Sequence, residues 1–98
     1  MPSHLTRLQE LVLDMVVNEH QSVPLIKEEV KLLMGNGVSR QQITDAFEAL
    51  REQRLVDAFI YREAEQDYQR YRRAKLKAGA NLWWYANDAG RRTNAADS

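Results

Sequence analysis

The segment Val38 to Val56 starts, packs and stops a helix with every local signal in agreement. Ser39 stands where an N-cap side chain accepts a backbone N–H, and Gln42 follows at the three-residue spacing of a capping box. Val38 and Ile43 occupy the two positions of a hydrophobic staple. Ile43, Ala46, Phe47 and Leu50 recur at three- and four-residue steps, which places them on one buried stripe, and Leu55-Val56 opens a strand-like run. The segment predicts a helix that packs on a core and hands the chain directly to a strand.

A chain of 98 residues is expected to form one domain that buries roughly 60 to 70% of its unfolded surface, enough for a core without metal or disulfide support. Cysteine is absent, which excludes a disulfide framework, thiol chemistry and thiolate zinc sites and fits a reducing compartment. No apolar run approaches the roughly 18 to 20 residues of a membrane helix, and the N-terminus lacks a signal-peptide layout, so a cytoplasmic protein without membrane attachment is expected. The net charge is zero, but its distribution is uneven. Residues 1–60 hold six Lys or Arg against nine Asp or Glu, whereas 61–98 hold eight against five. No acidic residue lies between Asp67 and Asp88, a window that contains Arg70, Arg72, Arg73, Lys75 and Lys77.

Leu5, Leu8, Leu11, Val12, Met15 and Val16 fit a helical stripe, so a first helix is expected from residue 4 to about 19, with Ser3 as its cap. Pro24 is placed for the first turn of a second helix, whose expected buried face is Leu25, Ile26, Val30, Leu33 and Met34. Gly35-Asn36-Gly37 ends it, because glycine permits positive φ. Residues 55–61 and 81–86, rich in β-branched and aromatic side chains, predict two strands that pair antiparallel. The segment between them, 62–80, is too long for a tight hairpin loop of about two to five residues. Tyr61, Ala64, Tyr68, Tyr71, Lys75 and Ala78 follow helical spacing with Arg70, Arg73 and Lys77 opposite, so an extra helix over 62–78, ended by Gly79, is predicted. The small and polar residues from Arg91 to Ser98 are expected to fray, with 93–98 disordered.

Two phrases carry a family resemblance. Leu50-Arg51-Glu52-Gln53-Arg54-Leu55-Val56 matches the Leu-x-x-x-x-Leu-Val phrase with which the recognition helix of many bacterial winged helix-turn-helix regulators enters the first wing strand, with Arg54 in place of the usual glycine. Trp84-Tyr85-Ala86-Asn87-Asp88-Ala89-Gly90-Arg91 is similar to the Tyr-x-Leu-Thr-x-x-Gly-Arg phrase that closes the wing, with Ala86 for leucine and Asn87 for threonine. Asn is an equally good N-cap. In this order, over residues 4 to about 92, the chain resembles the winged helix-turn-helix superfamily. The resemblance implies a mostly α fold with a small antiparallel β-hairpin (α+β): a three-helix core, a two-stranded wing and an extra helix around 62–78. Residues 1–92 would be one domain, with the helix-turn-helix at about 24–54, wing strands at about 55–61 and 81–86 and an insertion at 62–80.

The resemblance also implies duplex DNA binding, with the third helix in the major groove and Arg40, Gln41 and Thr44 facing it. Arg bridges guanine N7 and O6, Gln bridges adenine N7 and N6, and Thr contacts base or phosphate. The helix centre opposes this, since Gln41, Asp45, Glu48 and Glu52 lie opposite the apolar stripe and carboxylates repel phosphate. Contact would therefore favour the first turn and the flank of Arg40, Thr44 and Arg51. Arg70, Arg72, Arg73, Lys75 and Lys77 form the better electrostatic candidate, able to neutralise about four phosphates, or else a solvated face balanced by Glu63, Glu65 and Asp67. Arg91 either adds a backbone contact or caps the core.

Trp83, Trp84 and Tyr85 are consecutive, so Trp84 points one way and its neighbours the other. Trp83 and Tyr85 are expected to pack on the insertion through Tyr68 and Tyr71, or Trp83, Tyr68 and Tyr71 to form a dimer or partner contact. His4 and His20 are too far apart for a metal-ligand pair, and no phosphate loop, nucleophile elbow or His–acid constellation is present. The expectation is a homodimeric DNA-binding transcriptional regulator with no enzymatic activity, cofactor or metal. The alternative is a winged-helix module that binds protein.

Overall fold

The computed structural model describes residues 5–73 and 82–97. Helix α1 (Arg7–Met15) begins at Thr6, whose hydroxyl accepts the Gln9 N–H at 3.1 Å while the Gln9 side chain accepts the Thr6 N–H at 3.1 Å. This capping box replaces the expected start at residue 4; the expected cap, Ser3, lies outside the described residues. The helix stops at Met15 rather than near 19, because the Val16 N–H turns back to the Leu13 carbonyl and the Val16 carbonyl accepts the Ala86 N–H at 3.0 Å. That bond draws the chain into a sheet. The two-residue strand β1 (Gln21–Ser22), which sequence patterning does not announce, follows after the loop 16–20.

Helix α2 (Val23–Met34) carries Pro24 in its first turn and ends at Gly35, where φ is +93° and the N–H reaches the Lys31 carbonyl. Ile26 and Val30 are buried as expected, but Leu25 and Leu33 are exposed, as is Leu32 at 85%. The helix meets the core along the narrow line of Val23, Ile26 and Val30, and Leu25 and Leu33 fall to its side. Helix α3 (Arg40–Glu52) matches expectation in cap and face: Ser39 and Gln42 exchange bonds of 3.1 and 2.7 Å, and Ile43, Ala46, Phe47 and Leu50 are buried.

The described residues form an α+β fold of four helices and one four-stranded antiparallel sheet. Strands β2 (Val56–Arg62), β3 (Asp67–Arg70) and β4 (Trp83–Ala86) join β1 in the order β1-β4-β2-β3. The expected β2–β4 pairing is present, with Asp57 opposite Tyr85 and Ala58 opposite Trp84. The helix expected over 62–78 is not: Asp67–Arg70 is a strand, and residues 63–66 are a turn closed through Gln66 at φ +49°. Tyr61 and Tyr68, seven residues apart, would share a helix face; the same separation makes them cross-strand partners across a four-residue turn. Main-chain bonding to β2 decides between the two. Residues 74–81, with Lys75, Lys77, Ala78 and Gly79, lie outside the described residues.

The expected disordered tail is also corrected, because Asp88–Asp97 forms helix α4. Asn87 accepts the Gly90 N–H at 2.9 Å as N-cap, and Asn94 donates to Asp14 of α1 at 3.2 Å. The core lies between the helices and the inner sheet face, where Phe47 stacks on the buried Trp84 with ring centroids 5.0 Å apart. Truncating a buried aromatic of this kind costs about 3 to 5 kcal/mol. Among the described residues no helix is long and apolar enough to cross a membrane.

Candidate functional site

The end of α3 is a Schellman motif. The Leu55 N–H donates to the Leu50 carbonyl at 3.0 Å and the Arg54 N–H to the Arg51 carbonyl at 2.9 Å. This geometry needs a left-handed residue, and Arg54 supplies it at φ +60°. Glycine takes that conformation freely, whereas a side chain there costs on the order of 1 kcal/mol. The corner is gripped from the far end of the chain. The Asn87 N–H donates to the Leu55 carbonyl at 3.1 Å and its Nδ2 to the Arg54 carbonyl at 2.7 Å. Gly90 lies so close that a Cβ on it would stand 2.1 Å from the Leu55 oxygen. The two phrases separated by about thirty residues of sequence are thus the two halves of one joint.

Around this corner the hairpin β2–β3 and the exit of α3 enclose an open cleft of about 500 Å³, lined by Arg51, Arg54, Asp57, Arg70 and Arg72 with Tyr71 and Asn87. Arg51 is fixed: its Nη2 donates to the carbonyl of Tyr71 at 3.1 Å and to that of Arg73, and its guanidinium lies 5.5 Å from the Tyr71 ring centroid. Arg70 pairs with Asp57 at 2.8 Å, which neutralises the carboxylate of the cleft. Among the described residues neither Arg54 nor Arg72 has a side-chain partner. Four guanidiniums against one carboxylate make the cleft strongly positive, and guanidinium geometry suits phosphate or carboxylate oxygens.

The first turn of α3 is differently disposed. The Gln41 amide donates to Asp45 at 2.8 Å, the Thr44 hydroxyl to the Arg40 carbonyl at 3.0 Å, and Gln42 closes the capping box. Of the residues expected to face a groove, Arg40 alone keeps its donors clear of described partners. Asp45 and Glu52 stand exposed along the same helix.

The structure therefore brings together Arg51, Arg70 and Arg72 of the predicted cationic residues and leaves Arg40, Gln41 and Thr44 at the opposite end of α3. Arg73 contributes its carbonyl to Arg51. Arg91 has a structural setting: its Nε donates to the Val17 carbonyl at 3.1 Å, its Nη1 pairs with Asp88 at 3.2 Å, and its guanidinium sits 4.7 Å from the Tyr85 ring centroid. Arg54 was legible only as the residue standing in a glycine position.

The outer sheet face carries Trp83, Tyr85, Phe59, Tyr61 and Tyr68. Tyr68 of β3 meets Trp83 of β4 edge-on at 5.5 Å, reaching across the intervening strand β2 rather than from a helix, while Tyr71 turns inward against the core. His20, expected at the end of the first helix, sits in the loop before β1 between Tyr68 and Tyr85, with centroids at 3.9 and 4.5 Å. Burial pushes its imidazole pKa below the ordinary 6.5, against the opposing pull of Asp67. Among the described residues no group of three or more His, Asp or Glu is placed to hold a metal ion. Comparison of the chain with protein-family models, with curated proteins and with solved structures found no match.

Proposed function

We propose that this chain is a winged helix-turn-helix protein that binds duplex DNA in the cytoplasm as a homodimeric transcriptional regulator, without catalytic activity. The observation that carries the reading is the placement of β1, β4 and β2 beside the α2–α3 pair, with the β2–β3 hairpin projecting from the exit of α3. This connectivity agrees with the two phrases that resemble the superfamily. The arginine cleft at that exit supports a polyanion as the partner. Phosphate contact is assigned to the cleft, and base contact to Arg40, with Gln41 and Thr44 available once their local bonds exchange for base edges. Gel-shift titration of a mixed-sequence duplex at low salt tests the reading. Retardation by the intact protein that weakens steeply with salt is expected, and no retardation at low salt sinks it. Sedimentation equilibrium tests the dimer.

A second reading, a winged-helix module that binds protein, is favoured by the exposed Leu25, Leu32 and Leu33 of α2 together with the acidic centre of α3. It predicts that Leu25→Ser and Leu32→Ser change self-association or partner binding and leave any duplex affinity intact.

A further inference from the structure

The geometry points to a dedicated phosphate site in the cleft at the exit of α3, with Arg54 and Arg72 as guanidiniums that have no side-chain partner among the described residues and Arg51 as its fixed one. Three observations carry it. Arg51 is immobilised by two carbonyls and an aromatic ring, and only its Nη2 is engaged by them, which leaves further donors of the guanidinium for a ligand. Arg70 engages Asp57, so the carboxylate in the cleft is already neutralised and does not repel an anion. Arg54 holds a left-handed backbone at a position that glycine fills more easily. Strained non-glycine residues cluster at ligand sites, and here, unlike Gln66 in the β2–β3 turn, the strained residue is clamped by the surrounding joint and its side chain lines the cleft.

Planar guanidiniums converging from a helix exit and a hairpin match the tetrahedral array of phosphate oxygens, which accept bidentate pairs from more than one direction. The ligand chemistry is a phosphate group, either a phosphodiester of a nucleic-acid strand or the phosphate of a free nucleotide. Assigning it to a strand rests on the nucleic-acid reading above; the phosphate chemistry itself does not.

Arg54→Gly separates the site from the fold, because glycine relieves the backbone while deleting the guanidinium. The thermal midpoint of this variant is expected to equal or exceed that of the parent. Its affinity for a fluorescein-labelled mixed duplex at about 50 mM salt is expected to fall roughly five- to tenfold, with a plot of log affinity against log salt shallower by about one. Arg72→Ala is expected to behave likewise in binding. A second arm titrates inorganic pyrophosphate while following the arginine Nε–Hε signals by NMR. Loss of duplex affinity in both variants with weak pyrophosphate binding supports a strand phosphate. Tight pyrophosphate binding that both variants lose, without duplex binding by the parent, supports the site and sinks the nucleic-acid reading. A parent that binds neither probe, variants that bind both as the parent does, or a lowered midpoint for Arg54→Gly would each overturn the proposal.

Discussion

At its first turn α3 uses Ser39, Gln41, Gln42 and Thr44 on its own backbone and neighbours, whereas at its exit the chain bends through a left-handed arginine, and Arg51 and Arg54 open onto a cleft with Arg70 and Arg72 of the hairpin side. The first arrangement lowers the free energy of the helix and leaves little side-chain chemistry free. The second raises backbone energy and is maintained by the Asn87–Gly90 clamp. The difference shows where on one helix stability and ligand chemistry are separated, and several changes can break or sharpen it.

The largest expected effect is Gly90→Ala. Its methyl group meets a main-chain carbonyl that cannot rotate away, so a loss of about 3 kcal/mol or more is expected in urea unfolding, and the cleft is lost with the corner. Asn87→Ala removes both the α4 cap and the bond to the Arg54 carbonyl, for a loss of about 2 kcal/mol by the same measurement. At the opposite end, Ser39→Ala is expected to cost about 1 kcal/mol and to leave anion affinity unchanged; a matching fall in affinity would show that the two ends are not separable. Arg54→Gly is expected to gain about 0.5 to 1 kcal/mol, the release of strain being partly offset by the backbone freedom that glycine loses on folding.

The smallest effect comes from pH and touches neither end. The His20 pKa is depressed in the folded chain, so its contribution to stability is complete above the unfolded value of 6.5 and is lost as pH falls through the lower folded value, because the unfolded chain takes up the proton first. The urea midpoint is expected to fall between pH 7.5 and 5.5, and His20→Phe is expected to reduce that fall. The stability increments of Ser39→Ala and Arg54→Gly should be the same at both pH values.

Local chemistry was legible where donor and acceptor lie within one turn. Ser39 with Gln42, the apolar stripe from Ile43 to Leu50, Pro24 and Gly35 each act over three or four residues, and α3 and the start and end of α2 follow from them. The alternation of Trp83, Trp84 and Tyr85 likewise gave one inward ring, Trp84. Patterning failed where two geometries share one spacing, as with Tyr61 and Tyr68, or where a face is apolar without being buried, as with Leu25 and Leu33. Of the candidate site, Arg51, Arg70 and Arg72 were named as cations, but not as neighbours of Arg54.

By itself, then, the sequence determined the caps, the staple and the buried stripe of α3, because bonds between residues three or four apart need only the local backbone to form. The tertiary structure alone decided that Gln21–Ser22 pairs with β4, that Asp67–Arg70 is a strand and that the exit of α3 is gripped by Asn87 and Gly90. Those contacts join residues that only the closed fold brings together, and no local preference encodes the partner of a main-chain group thirty residues away. The cleft belongs to this second kind: its arginines are spread from Arg51 to Arg72, and it exists because the hairpin folds back over the end of α3.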